Sequence, residues 1–204
     1  MKANHIMLLT ALFVAKLCAA NTPAITIRPV ALADFDAIRE MNIRIYTPIF
    51  GKYYSAYKLR KIYTSIFDQE AADMQTLGDD FIGFVACTPD STIIGYFSAQ
   101  RMLEMPNALY DRWSCVDTPF QKQGIGTQLL ATILAARPLT ERYFTITISG
   151  QQHALSPFIS HGGVEVSIDI CAPYLQNALG KNHFTGVMFD RTAINQQINK
   201  HIAA

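Results

Sequence analysis

The sequence has little charge and almost no imbalance in it. Of 204 residues, 17 are Lys or Arg and 16 are Asp or Glu, a net charge of +1. Chains that grip nucleic acid carry a basic surplus, so this balance removes the electrostatic case for that partner. Cysteine is scarce as well. Cys18, Cys87, Cys115 and Cys171 are scattered and show no metal-ligand spacing. Cys87 and Cys115 fall in strand-like segments and are expected in the core. There is no internal repeat, low-complexity tract or linker, which leaves one domain and a short extension. No apolar run is long enough to span a bilayer comfortably, so a stable membrane span is not expected. Hydrophobic residues are plentiful, at half the chain. That excludes general disorder and predicts a substantial core.

Residues 1–20 differ from the rest. Lys2 and His5 precede an apolar run from Ile6 to Ala15, and Lys16-Leu17-Cys18-Ala19-Ala20 follows before Asn21. This is the three-part form of a secretory signal peptide. It predicts export, with a cytoplasmic chain carrying a packed N-terminal helix as the alternative. Lys16 and Leu17 stand where a lipoprotein signal needs small residues. Cleavage would leave three cysteines, an odd number that fits an exported chain less well.

Ile25-Thr26-Ile27-Arg28-Pro29 alternates and stops at proline, as a first strand does. Asp34 can cap a helix through about Asn42, with Phe35, Ile38, Met41 and Ile45 at helical spacing. Tyr46 to Glu70 interleaves aromatic and basic residues at spacings of three and four. The simpler reading is an amphipathic helix with aromatics inward and lysines outward; the other is a wall for a bound acceptor. Phe81 to Cys87 reads as a buried strand, Thr88 to Ser91 as a turn, and Thr92 to Arg101 as its partner. Met105-Pro106-Asn107 reads as a loop and Leu109 to Val116 as the next strand. Helical spacing runs from Thr127 to Ala136. Strand patterns follow at Tyr143 to Ser149, Val164 to Ile170 and Phe184 to Asp190, with a short helix at Ala154 to Ser160. The tail 192–204 is polar.

The most informative stretch joins the fourth of these strands to its helix: Val116-Asp117-Thr118-Pro119-Phe120-Gln121-Lys122-Gln123-Gly124-Ile125-Gly126-Thr127. Glycines at such a turn let backbone approach a ligand closely. The first helical amides have no intrahelical partner, and the helix dipole makes them attractive to anions. The stretch is therefore a candidate phosphate cradle. Thr127-Gln128 lacks the Lys and Ser/Thr of a P-loop. Two glycines past mid-chain do not make a Rossmann fingerprint.

Gln121-x-x-Gly124-x-Gly126, with Val116-Asp117 ahead of it, resembles the pyrophosphate loop of the GNAT superfamily of N-acyltransferases. Ile27-Arg28-Pro29 before a helix, and the hairpin holding Ile93-Ile94-Gly95-Tyr96, are similar to that superfamily too. The resemblance spans residues 24–191. It implies an α/β (α+β) fold with a mixed central sheet of about seven strands and helices on both faces. It also implies acetyl-CoA or another acyl-CoA as donor, an amine of a small molecule or protein as acceptor, direct attack, no metal, and a monomer or homodimer. Val116, Gln121, Lys122, Gln123, Gly124, Ile125, Gly126 and Thr127 would hold the donor. The general base would be an acid near strand four, where Asp117, Glu104 and Asp111 are available. The family's acid tyrosine falls in the frame Ala154 … Gly162 at Phe158, which has no hydroxyl, so Ser160 or solvent would protonate the thiolate. His161 reads as a helix-end cation. The alternative functions are a degenerate module that binds acyl-CoA or a partner without efficient catalysis, and an exported interaction protein on the same fold.

Overall fold

A computed structural model describes residues 24–148, 163–167, 170 and 184–190. The expected signal peptide (residues 1–20), the helix from Ala154 with Phe158, Ser160, His161 and Gly162, Cys171 and the tail 192–204 lie outside the described residues.

The chain opens with β1 (Thr26–Pro29), α1 (Phe35–Phe50) and α2 (Ala56–Thr76). The antiparallel run β2 (Phe81–Cys87), β3 (Ile93–Met102) and β4 (Met105–Val116) follows. Then come α3 (Ile125–Ala136), β5 (Arg142–Ile148), β6 (Val164–Val166) and β7 (Phe184–Asp190). The seven strands form one sheet in the order β1-β2-β3-β4-β5-β7-β6. Every neighbouring pair is antiparallel except β4–β5, which is parallel because α3 carries the chain across one face. The expected mixed sheet of about seven strands is the sheet observed.

Alternation along the strands splits the core into two faces. Phe35, Ile38, Met41 and Ile45 of α1 and Leu59, Tyr63 and Phe67 of α2 pack on Val85, Tyr96 and Cys115. Leu129, Ile133 and Leu134 of α3 pack on the other face, against Ala86, Ile94, Ala99 and Leu109. Cys87 and Cys115 are free and buried, as expected. Tyr63 and Phe67 both meet Trp113 edge to face, so these aromatics of the Tyr46–Glu70 stretch belong to the core. Tyr53 and Tyr57 stay exposed.

Several boundaries differ from the sequence reading, and the Tyr46–Glu70 stretch is not one helix, since Tyr46–Phe50 end α1 and α2 runs from Ala56 to Thr76. Helix α1 does not stop near Asn42 but runs to Phe50. Asn42 is buried and satisfied: its Nδ2 donates to Ile38 O at 2.8 Å, and its Oδ1 accepts from Trp113 Nε1 at 2.6 Å. Met105-Pro106-Asn107 is not a loop but the start of β4. Met102 pairs with Met105 and Arg101 with Leu109, so Pro106 sits in a bulge where its missing N–H breaks no ladder bond. Helix α3 starts at Ile125, which places Gly126 inside it. The strand expected at Val164 to Ile170 ends at Val166, the last residue that pairs with β7; the Ile170 amide instead turns back to Ser167 O at 3.2 Å.

Candidate active site

Strands β4 and β5 pair through only three residues: Ala108 with Arg142, Leu109 with Tyr143, and Tyr110 with Phe144. Beyond these, β4 continues along β3 to Val116 and β5 continues along β7 to Ile148. A wedge opens between them. Its cause is local. Ser98 pairs with Trp113 and Ala99 with Asp111, which leaves Arg112 as an extra residue in β4. Such a bulge bends its strand and increases the twist.

Asp111 and Thr145 are the first residues past the last β4–β5 pair, at the apex of the wedge. Thr145 Oγ1 donates to Asp111 Oδ2 at 2.8 Å and Ser114 Oγ donates to the same oxygen at 2.9 Å. Oδ1 accepts no hydrogen bond among the described residues, and the buried Tyr143 hydroxyl makes none either. That hydroxyl stands close enough to favour the carboxylate electrostatically without reaching hydrogen-bond geometry. Asp111 is 6% exposed. Burial pushes its carboxyl up to about 6, against the hydrogen bonds from Thr145 and Ser114. A carboxyl in that range takes and releases protons near neutrality.

The open end of the wedge is lined by main chain. Asp117 N donates to Ile94 O at 2.8 Å, towards β3. Alternation then turns the main-chain groups of Val116 and Ser114 towards the wedge. The Val116 carbonyl already accepts from Gln121 Nε2 at 2.9 Å, and Gln123 Nε2 caps Pro119 O at 3.1 Å. Two of the expected donor-site side chains thus brace the turn itself. Gly124 has φ 77°, in the left-handed region that favours glycine, and Lys122 takes φ 62° beside it. A non-glycine residue held there stores backbone strain, a frequent mark of a ligand clamp. Helix α3 makes its first bond from Gln128 N to Gly124 O at 3.0 Å. The amides of Ile125, Gly126 and Thr127 therefore point out of the helix end without intrahelical partners. Ile125 is buried and anchors that end against Ile94 and Ala86. Gly126 differs from Gly124. An added Cβ there would meet Phe97 Cζ at 3.6 Å and Val116 Cγ2 at 3.8 Å, ordinary contacts, so the fold does not itself demand that glycine.

The other expected acids lie elsewhere. Asp117 is buried, accepts from Arg44 Nη2 at 2.6 Å and caps the Thr118 amide at 2.9 Å. Its two oxygens tie α1 to the end of β4. Glu104 is exposed in the β3–β4 turn, at the opposite end of β4 from the turn into α3. Among the three acids named from sequence, only Asp111 is brought into the wedge. Its signal was an acid in register with Leu109 on a buried strand face. Thr145, Tyr143 and Ser114 had no signal, because their meeting depends on where β5 leaves β4. Among the described residues, no group of His, Cys, Asp and Glu could hold a metal ion. No described helix is long and apolar enough to cross a membrane.

This strand–turn–helix and its wedge lie within residues 36–155, which match the acetyltransferase (GNAT) family, more than half of the chain. The chain belongs to the GNAT family. It is an N-acetyltransferase by membership, and its general chemistry is acyl transfer. Solved GNAT structures share the fold. The PaiA N-acetyltransferase of Thermoplasma acidophilum, solved in complex with coenzyme A, superposes with a TM-score of 0.61 at 14% identity, over 82% of this chain and 99% of that one. A GNAT acetyltransferase from Staphylococcus aureus gives 0.58 at 14% identity, over 82% and 99%. The ribosomal-protein-S18-alanine N-acetyltransferase of Escherichia coli gives 0.54 at 16% identity, over 82% and 94%. No curated protein matches the sequence.

Proposed function

We propose that this GNAT domain transfers an acetyl group from acetyl-CoA to an amine by direct attack, with Asp111 as general base. The observation that carries the reading is a buried carboxyl, pushed up to about 6, at the apex of the β4–β5 wedge. The coenzyme A held by the Thermoplasma relative supports the donor. In this reading the pyrophosphate lies on the amides from Lys122 to Thr127, where the helix dipole favours negative charge. The pantetheine arm runs beside Val116 as an added strand, using the main-chain positions that β5 leaves unpaired. A Ser114 or Val116 amide donates to the thioester oxygen as negative charge gathers there.

The amine nitrogen attacks the thioester carbon, and the carbon–sulfur bond breaks as the tetrahedral centre collapses. Asp111 takes the proton that the nitrogen loses, directly or through water. The thiolate is protonated by solvent or by Ser160. Asp117 and Glu104 have no part in the transfer, the first because Arg44 and the Thr118 amide hold it, the second because of its distance. The acceptor is a small-molecule or protein amine.

Calorimetric titration with acetyl-CoA and a thiol-release assay across an amine panel test the reading. The expected result is saturable binding and turnover with an acidic limb near pH 6. Asp111→Asn should bind acetyl-CoA normally and lose about 10²-fold or more in kcat. Full turnover in a folded Asp111→Asn enzyme refutes the base assignment. Absence of acetyl-CoA binding refutes the donor assignment.

A further inference from the structure

Behind the wedge, on the α1–α2 face of the sheet, lies a buried ionic cluster that the transfer reaction does not touch. Arg112, the bulged residue of β4, points into it. Its Nε donates to Glu70 Oε1 at 2.6 Å, its Nη1 to Gln100 Oε1 at 2.5 Å, and its Nη2 to Asp73. Glu70 Oε2 accepts from Tyr96 Oη at 3.0 Å and Ser98 Oγ at 2.8 Å. Glu70 itself is 2% exposed. A carboxylate this deep in a helix face that otherwise buries Leu59, Tyr63 and Phe67 is costly to desolvate, and its retention calls for a reason beyond stability.

The reason lies in the bulge. An ordinary strand would put residues 111 and 113 on one face. The extra residue lets Arg112 and Trp113 both face α2, while Asp111 and Ser114 both face the wedge. Glu70, Asp73 and Gln100 grip all three guanidinium nitrogens, so the bulge cannot slide along β4 without breaking the cluster. We propose that Glu70 is a positioning residue for the transfer reaction: through Arg112 it holds the β4 bulge that aims Asp111 into the wedge, and it places a second negative charge across the sheet from Asp111. This rests on the reading of Asp111 as the base.

Among the described residues, Tyr143 of β5 and Tyr46 of α1 are coupled to Asp111 electrostatically. Glu70 and Asp73 of α2 lie across the sheet with Arg112 between them. Helix α3 carries no charged residue. The Glu70 charge makes Asp111 harder to ionise. Removing it eases ionisation, and the Arg112 charge, then less compensated, acts in the same sense.

The test uses carbon-detected NMR of the Asp111 carboxyl in the ligand-free enzyme, together with the pH profile of kcat/KM for the best amine of the panel. Glu70→Gln keeps an acceptor for Arg112 and removes the charge. Its Asp111 midpoint and its acidic limb should both fall, with acetyl-CoA affinity unchanged. Glu70→Asp keeps the charge and should leave both near the wild-type pH. If Glu70→Gln does not fold, Asp73→Asn reads the same cluster at its less buried end and should shift both midpoints downward by less. A folded variant that loses rate equally at every pH, with the Asp111 midpoint unmoved, overturns the proposal and leaves Glu70 a structural ion. Asp111→Asn with an intact acidic limb overturns the base assignment instead, whatever the Glu70 variants do.

Discussion

Asp111→Asn should make this enzyme more stable while it makes it less active, and the gain should depend on pH. Burial pushes the carboxyl up to about 6 in the folded chain, above the ordinary aspartate range. That displacement corresponds to about 3 kcal/mol. The sign follows from proton counting. Below about pH 4 the group is protonated in both states and contributes nothing to the difference. Between about 4 and 6 the folded state holds a proton that the unfolded state has released, so stability falls as pH rises. Above about 6 the full penalty of a buried carboxylate is present. Asparagine has the same shape and does not titrate. Its carbonyl can accept from Thr145 and Ser114 as Oδ2 does, and its amide can donate to the unpartnered Tyr143 hydroxyl. Urea unfolding followed by circular dichroism at pH 4, 5, 6 and 8 reads the effect. The variant should match the wild type near pH 4 and exceed it by about 1–3 kcal/mol at pH 8. A variant that is less stable at pH 8, or a difference that ignores pH, would refute the claim that burial raises the Asp111 carboxyl to about 6.

Gly124→Asp adds a side chain at a left-handed φ and a negative charge at the cradle; acetyl-CoA affinity measured by calorimetry should fall more than about tenfold, on the order of 1.4 kcal/mol. Gly126→Ala meets only ordinary contacts inside a helix and should leave the thermal midpoint unchanged or raise it, so any loss of affinity there reports ligand approach. Asp117→Ala removes the Arg44 pair and the Thr118 cap; it should cost about 1–2 kcal/mol in denaturant unfolding while the acidic limb of the pH profile stays in place. Phe158→Tyr, argued from the Ala154 … Gly162 frame, should raise kcat without changing acetyl-CoA affinity if a missing proton donor limits turnover; steady-state kinetics beside calorimetry decide it.

Most elements, and the glycine turn before α3, were legible in local sequence. The unbroken apolar run of Phe81–Cys87 and the helical spacing in Phe35–Ile45 are local signals. The turn at Gln121–Gly126 is local as well, because a left-handed Gly124 and the open amides of a helix start are properties of neighbouring residues. Boundaries failed where a long-range contact outweighed the local signal. Asn42 stays helical because Trp113 and Ile38 satisfy its amide, and Pro106 enters β4 because a bulge excuses its missing N–H. The choice of base was of this second kind. Asp111, Asp117 and Glu104 are equivalent acids on paper. The folded chain separates them, by pairing Asp117 with Arg44, leaving Glu104 in an exposed turn, and ending the β4–β5 ladder at Tyr110 so that Asp111 meets Thr145 and Ser114 at the apex. Proton affinity depends on burial and on charges brought from distant parts of the chain, and these exist only once the sheet has formed.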